Sequence, residues 1–194
     1  MRIFLLLIVL VLLPLAALAE RPFAELLAAA EGGERAAMLA TGIAYYQGKG
    51  VDQDCYEARS WLKKAAGAGE IEAYYLIGTL DDDGSCGIGR AERAMEYYRL
   101  AAEMGHSGAQ YRLGELYRTG RGVEQDTLTA SKWLEAAAAQ KEPRAFCSLA
   151  RIYAKGGEVK ASRQKALRWL RRGLESHNPD AVELCRMVKE ETGL

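Results

Sequence analysis

The sequence predicts an all-α protein built from a repeated helix-turn-helix unit. Alanine is the most frequent residue, at 32 of 194, whereas the chain has only seven valines, seven isoleucines and six threonines. Alanine favours helices and β-branched residues favour strands, so this composition indicates helices. Residues of the same type also recur every 36 positions, and a period of about 20 to 50 residues is typical of stacked helical or strand repeats.

Charge and hydrophobicity exclude a disordered chain and a nucleic-acid-binding protein of overall basic charge. The 26 basic residues equal the 26 acidic ones, and 49% of the residues are hydrophobic. We therefore expect a folded chain without the overall basic field that holds nucleic acid. The neutrality is a cancellation, because residues 34–89 sum to −4 and residues 143–177 to +7. This asymmetry favours a partner of opposite polarity.

The first nineteen residues are typical of a cleaved secretory signal peptide. Arg2 is the positive head, residues 3–13 form an uninterrupted apolar run, and the stretch from Ala17 to Ala19 has the small-x-small pattern of a cleavage site. The run is shorter than the ~20 residues that span a bilayer. We expect cleavage after Ala19, a periplasmic location, and no stable membrane insertion of the mature chain.

Residues 20–33 are the next predicted element, an N-terminal capping helix. Phe23, Leu26 and Leu27 share one helical face, which can cover the open end of a stack of repeats. Residues 178–194 repeat only the first helix of a unit and are predicted to cap the other end. Between them we expect four repeats, at residues 34–70, 71–106, 107–142 and 143–177.

Five columns of residues carry the 36-residue period. An alanine-rich helix that matches itself by chance would not align glycines and aromatic residues in the same register. The columns are Ala37, Ala73, Ala109, Ala145 and Ala181; Gly42, Gly78, Gly114 and Ala150; Gly48, Gly84, Gly120 and Gly156; Ala58, Ala94, Ala130 and Ala166; and Trp61, Tyr97, Trp133 and Trp169.

Helix boundaries follow from residues at fixed places in each unit. We expect Gly120 to end the first helix of the third unit, where a positive φ favours glycine. Asp54 and Asp126 are predicted N-caps of second helices. Pro143 and Pro179 are predicted to lie in the first turn of a helix, where a missing N–H costs nothing.

The third unit resembles a Sel1-like repeat, a relative of the tetratricopeptide repeat. The resemblance is carried by the stretch from Ala109 to Asp126, by Ala130 to Trp133, and by the alanines up to Ala138. It implies an exported bacterial member with a right-handed α/α solenoid of about four 36-residue helix-turn-helix repeats and capping helices at both ends. It also implies a concave surface for a protein partner, with no active site and no cofactor. Units two and four depart from the pattern in their turns.

Positions that the repeat motif leaves free are the candidates for partner contacts. The fourth, seventh and eleventh residues of each first helix share one face, although an ordinary solvated face is the alternative. The predicted partner-binding residues are Gln47, Asp83, Arg112, Glu115, Arg151 and Lys155.

Four cysteines in an exported chain predict disulfides. Cys55 and Cys86 lie in the turns of adjacent units, and Cys147 and Cys185 lie on adjacent first helices. Three connectivities are possible, of which we expect Cys55–Cys86 and Cys147–Cys185. Buried free thiols are the alternative.

The sequence contains little to support metal binding or catalysis. The acidic run 81–83 lacks the ligand spacing of a calcium loop, so we expect a solvated or partner-facing acidic tip. His106 and His177 are expected to be surface residues in turns. The S-x-x-K sequences that begin at Ser60 and Ser162 match a penicillin-interacting motif but lack its companion motifs. We expect no catalytic residue, no metal site and no cofactor.

The leading functional hypothesis is a periplasmic scaffold or adaptor that binds a protein partner in its concave groove. The first alternative is an immunity protein that neutralises a secreted, type VI-type toxic effector such as a lipase. Assembly of the envelope or of a flagellar motor is a further alternative, and a penicillin-interacting hydrolase is the weakest.

Overall fold

The computed structural model describes residues 21–84 and 90–194, in which the chain forms ten helices and no strand. The all-α prediction is confirmed. The predicted signal peptide and Cys86 lie outside the described residues. None of the ten helices is both long and apolar enough to cross a bilayer. The helices are α1 (Phe23–Glu31), α2 (Arg35–Gln47), α3 (Cys55–Gly67), α4 (Ile71–Asp82), α5 (Ala91–Glu103), α6 (Ser107–Thr119), α7 (Thr127–Ala139), α8 (Pro143–Lys155), α9 (Arg163–Leu174) and α10 (Pro179–Thr192).

The chain divides into two compact units, one ending at Leu80 and the other running from Asp81 to Leu194. In the first unit, α2 pairs with α3, and α1 packs against α2. In the second unit, α6 pairs with α7 and α8 pairs with α9. Helix α8 also packs against α7 and α10, so the second unit is a series of neighbouring helix pairs.

The predicted turn and cap residues take the expected geometry in the first and third repeats. Gly48 and Gly120 have φ values of 68° and 71° and end α2 and α6. The carboxylate of Asp54 accepts hydrogen bonds at the start of α3, and that of Asp126 accepts one from the N–H of Thr129. The hydrogen bonds from Thr129 lower the pKa of Asp126.

Close packing within a repeat explains the glycine column at Gly42 and Gly114. A Cβ atom on Gly42 would lie 2.8 Å from Cγ of Leu62, and one on Gly114 would lie 2.7 Å from Cγ of Leu134. Both leucines are almost completely buried, so neither has space to move away. The missing side chains therefore allow α2 to approach α3, and α6 to approach α7.

The three aspartates at the end of α4 do not form the predicted solvated tip. Asp81 is fully buried, and its Oδ1 lies 2.6 Å from a guanidinium nitrogen of Arg93. Asp82 is paired with Arg121, and only Asp83 is exposed. Negative charge is unfavourable at a helix C-terminus, and here two arginines offset it. The prediction was wrong because the pairing arginines come from later segments of the chain.

His106, expected on the surface, is a half-buried N-cap, and Ser162, the first residue of an S-x-x-K sequence, is also an N-cap. Nδ1 of His106 accepts a hydrogen bond of 3.0 Å from the N–H of Ala109, and the ring is half-buried. The hydroxyl of Ser162 accepts a hydrogen bond of 3.3 Å from the N–H of Lys165. The Lys165 amine lies 4.8 Å from the centre of the Tyr153 ring. Both side chains of this S-x-x-K sequence therefore make structural contacts.

The structure contains the predicted disulfide between Cys147 and Cys185, which joins α8 to α10 with a Cα–Cα distance of 4.9 Å. Gly173 of α9 lies against this bridge. A Cβ atom there would come within 2.9 Å of Sγ of Cys147 and closer still to Sγ of Cys185. Three helices thus meet around one disulfide, at a position that only glycine fits.

Candidate partner-binding surface

The six predicted partner-binding residues are distributed over three helices and one turn. Gln47 is the exposed last residue of α2, in the first unit, and Asp83 is exposed just after α4, in the second. Arg112 and Glu115 lie on α6, while Arg151 and Lys155 lie on α8.

A groove of about 430 Å³ in the second unit contains Arg112 and Glu115. It lies where the end of α4 meets one face of α6. The sequence pattern marked Thr119 as a free position of α6 but missed Asp82, Tyr111 and Arg121, which reach the groove from outside the predicted stripe. The lining residues are Asp82, Tyr111, Arg112, Glu115, Leu116, Thr119 and Arg121.

Arg112 has a hydrogen-bond donor in this groove that is not used. Its Nε is buried and has no hydrogen-bond partner among the described residues. The neighbouring cations are engaged: Arg121 pairs with Asp82, and Arg118 makes two hydrogen bonds of 2.8 and 2.9 Å to the Glu115 carboxylate. A buried donor without an acceptor costs about 1 to 3 kcal/mol, and the described residues do not satisfy this one.

Tyr111 forms an aromatic wall beside Arg112. Its ring is 8% exposed, and the guanidinium of Arg144 lies 4.6 Å from the ring centre. Burial, and then the nearby charge of Glu115, raise the pKa of the Tyr111 hydroxyl. The phenol therefore stays neutral at physiological pH, and the groove combines an apolar wall with a cationic group.

Arg151 and Lys155 do not line the groove, because both bind Glu191 of α10. Nε of Arg151 lies 2.9 Å from Oε2 of Glu191, and the Lys155 amine contacts the other oxygen. The hydrogen bond from Lys155 and the charge of Arg151 lower the pKa of Glu191. These cations help to hold α8 and α10 together, and their contact with a partner stays a prediction.

Four segments match the model of the Sel1 repeat family: residues 35–70, 71–106, 107–142 and 144–178. Together they cover most of the chain. This chain belongs to the Sel1 repeat family. The resemblance noted in the sequence is confirmed, and Sel1 repeats mediate interactions between proteins.

Known proteins and structures agree with this assignment. An alginate biosynthesis protein of Pseudomonas syringae pv. tomato is 33% identical over 109 residues, which are 56% of this chain and 23% of that protein. The chain thus spans about a quarter of the length of the curated relatives that it matches first.

A protective antigen of uropathogenic Escherichia coli with an SLR fold has a TM-score of 0.78 and 29% identity, covering 89% of this chain and 37% of that one. A Sel1 repeat protein of Oxalobacter formigenes has a TM-score of 0.74 and 29% identity, covering 83% and 66%. The predicted α/α-solenoid fold class is confirmed.

Proposed function

We propose that this protein is a periplasmic scaffold that holds a protein partner in the groove beside Arg112. The buried, unpartnered Nε of Arg112 is the observation that carries the proposal. A carboxylate of the partner satisfies this donor, and the Tyr111 ring packs against the adjoining aliphatic or aromatic groups. The repeat motif residues build the helix pairs, so residues that line the groove provide the specificity.

Two features support the periplasmic location. Residues 1–19 have the composition of a secretory signal peptide, and Cys147 and Cys185 are joined in a disulfide. Disulfides persist in the periplasm and are rare in the cytosol, where thiols are kept reduced.

The relative from Pseudomonas syringae supports a role in envelope assembly over the alternative roles. Its name connects it with alginate biosynthesis. We infer that the partner here belongs to machinery that makes or exports an envelope polysaccharide.

Co-purification with a charge-reversed groove tests this function. Tagged wild-type protein is recovered from the periplasm of the bacterium that encodes it, next to Arg112→Glu and to Lys132→Glu as the control. Lys132 is exposed on α7 and does not line the groove. We expect Arg112→Glu to lower partner recovery at least about tenfold, which corresponds to 1.4 kcal/mol, because it replaces an unsatisfied donor with a repelling carboxylate.

The control variant makes the experiment decisive. Lys132→Glu should recover the partner as the wild type does, and both variants should keep the helical circular dichroism of the wild type. Equal recovery with Arg112→Glu and with wild type contradicts the proposal.

A further inference from the structure

Helix α9 carries an unusual concentration of positive charge for this protein. Its twelve residues contain five basic side chains and no acidic one. Three of them have contacts of their own: Lys165 lies over the Tyr153 ring, Arg172 over the Trp169 ring, and Arg163 bonds the carbonyl of Gly193. The other two, Arg168 and Arg171, are exposed and make no side-chain hydrogen bond or ion pair within the described part of the chain.

The repeat itself does not require this charge. The residues 36 positions earlier, on α7, are Lys132 for Arg168 and Glu135 for Arg171. The preceding position differs as well, since Leu167 is 41% exposed whereas its equivalent on α7, Ser131, is 6% exposed. An exposed leucine next to two unpaired arginines is therefore absent from the equivalent positions of α7.

The same face of α9 is concave. Two depressions of about 520 and 390 Å³ adjoin one another, because both include Leu167, Arg171 and Glu175. Leucines form the floor: Leu170 is 3% exposed and Leu174 is half-buried. The remaining lining residues are Gln164, Arg168 and Arg172 in the first depression, and Lys189 and Leu194 in the second.

The leucine floor has a rim of four basic residues and one acidic residue, Glu175. This combination selects among anionic partners. A hydrophilic acidic polysaccharide gains nothing from an apolar floor. A membrane surface is contacted by apolar side chains that protrude, and here two of the three leucines, Leu170 and Leu174, lie recessed. An amphipathic protein helix fits both features, because its apolar ridge fills the floor and its acidic flanks meet the arginines.

The repeat architecture disfavours a helix of this chain as the occupant. In the first and third repeats, the second helix of the unit packs closely against a glycine of the first helix, Gly42 or Gly114. The equivalent residue of α10 is Arg186, whose side chain is 66% exposed. The small residue that allows the close approach of a second helix is therefore replaced by arginine in α10.

We propose that the concave face of α9, formed by Leu167, Leu170 and Leu174 with Arg168 and Arg171, docks an amphipathic helix of a partner protein. That helix presents apolar residues at i, i+3 or i+4, and i+7, with aspartate or glutamate beside them. The surface is separate from the groove at Arg112, so the two sites are tested independently.

A designed peptide of ~20 residues, about 30 Å of helix, serves as the probe. It carries leucine at the stated spacing with glutamates on both flanks. A matched peptide keeps the leucines and replaces each glutamate by lysine. Fluorescence anisotropy with the full chain should show binding of the glutamate peptide and at least about tenfold weaker binding of the lysine peptide. Added salt should weaken the complex because the rim is exposed.

Variants assign the binding to this face. Arg168→Glu combined with Arg171→Glu, and separately Leu167→Ser, should each weaken binding of the glutamate peptide at least about fivefold, or roughly 1 kcal/mol. Lys132→Glu, the repeat equivalent of Arg168, and Arg112→Glu in the other groove should bind as the wild type does. All three altered side chains of α9 are exposed, and thermal unfolding checks that these variants remain folded.

Several outcomes overturn the proposal. Equal binding of the two peptides shows that the arginines contribute nothing, and binding unaffected by the α9 variants places the site elsewhere. Arginine-dependent binding to phosphatidylglycerol vesicles or to alginate, without binding of the glutamate peptide, assigns the face to a lipid or a polysaccharide. Self-association that the Arg168→Glu and Arg171→Glu changes abolish assigns it to a second copy of this chain.

Discussion

At the scale of single residues, the missing side chain of a glycine determines how closely two helices pack. A Cβ atom on Gly42 would lie 2.8 and 2.9 Å from side-chain atoms of Leu62, and 3.2 Å from the carbonyl oxygen of Ala58. Leu62 is 1% exposed. Relief of the overlap would therefore require α2 to move away from α3.

We expect Gly42→Ala to destabilise the protein. Alanine gains about 0.5 to 1 kcal/mol over glycine in a helix, but overpacking a buried contact costs about 1 to 3 kcal/mol, so the net change lowers the free energy of unfolding. Urea denaturation measures this change in the free energy of unfolding. Gly67→Ala is the control, since a Cβ there meets nothing within 4 Å, and it should leave stability unchanged or slightly raised. A Gly42→Ala protein as stable as the control would show that the contact relaxes without cost.

At the scale of elements, α10 is attached to α8 by two kinds of contact. The disulfide between Cys147 and Cys185 joins the helices covalently, and a constraint of this kind contributes about 2 to 4 kcal/mol. Glu191 adds ion pairs to Arg151 and Lys155 at the other end of α8. Disulfide and ion pairs together fix the last helix against its neighbour.

The ion pairs make this attachment sensitive to acid. Because the pKa of Glu191 is lowered in the folded state from its ordinary value of 4.5, the carboxylate contributes stability above that ordinary value. The contribution is lost as pH falls through the lower folded pKa. We expect Glu191→Gln to reduce the urea midpoint at pH 7 and to have no effect near pH 2, since both proteins are then neutral at this position. Glu183→Gln is a suitable control, because Glu183 lies on the same helix with its side chain 64% exposed. A midpoint difference that persists at pH 2 would show that the effect does not depend on the charge of Glu191.

At the scale of the whole molecule, what depends on the period could be predicted from the sequence, and what depends on distant side chains could not. The 36-residue register marks each glycine and cap by its place in the unit, so Gly120 and Asp126 were predicted correctly. Ion pairs between different elements follow no period. The partner of Asp81 is Arg93, and that of Asp82 is Arg121.

The candidate surface was predicted in part for the same reason. Arg112 and Glu115 follow from the free positions of α6, and both line the groove. Asp82 and Arg121 reach it from the end of α4 and from the turn after α6, outside the predicted stripe. Arg151 lies at a predicted partner-binding position of α8, but its guanidinium is paired with Glu191. No pattern within one repeat indicates that contact.

Site-specific photo-crosslinking tests whether the groove beside Arg112 contacts the partner protein. A photoreactive amino acid is placed at Thr119, which lines the groove and is exposed, and, for comparison, at Lys132 on α7. In cells of the bacterium that encodes this protein, we expect one protein adduct at Thr119 that Arg112→Glu abolishes, and no such adduct at Lys132. An adduct at Thr119 that survives Arg112→Glu, or the same adduct at Lys132, would contradict the assignment of this groove as the partner-binding site.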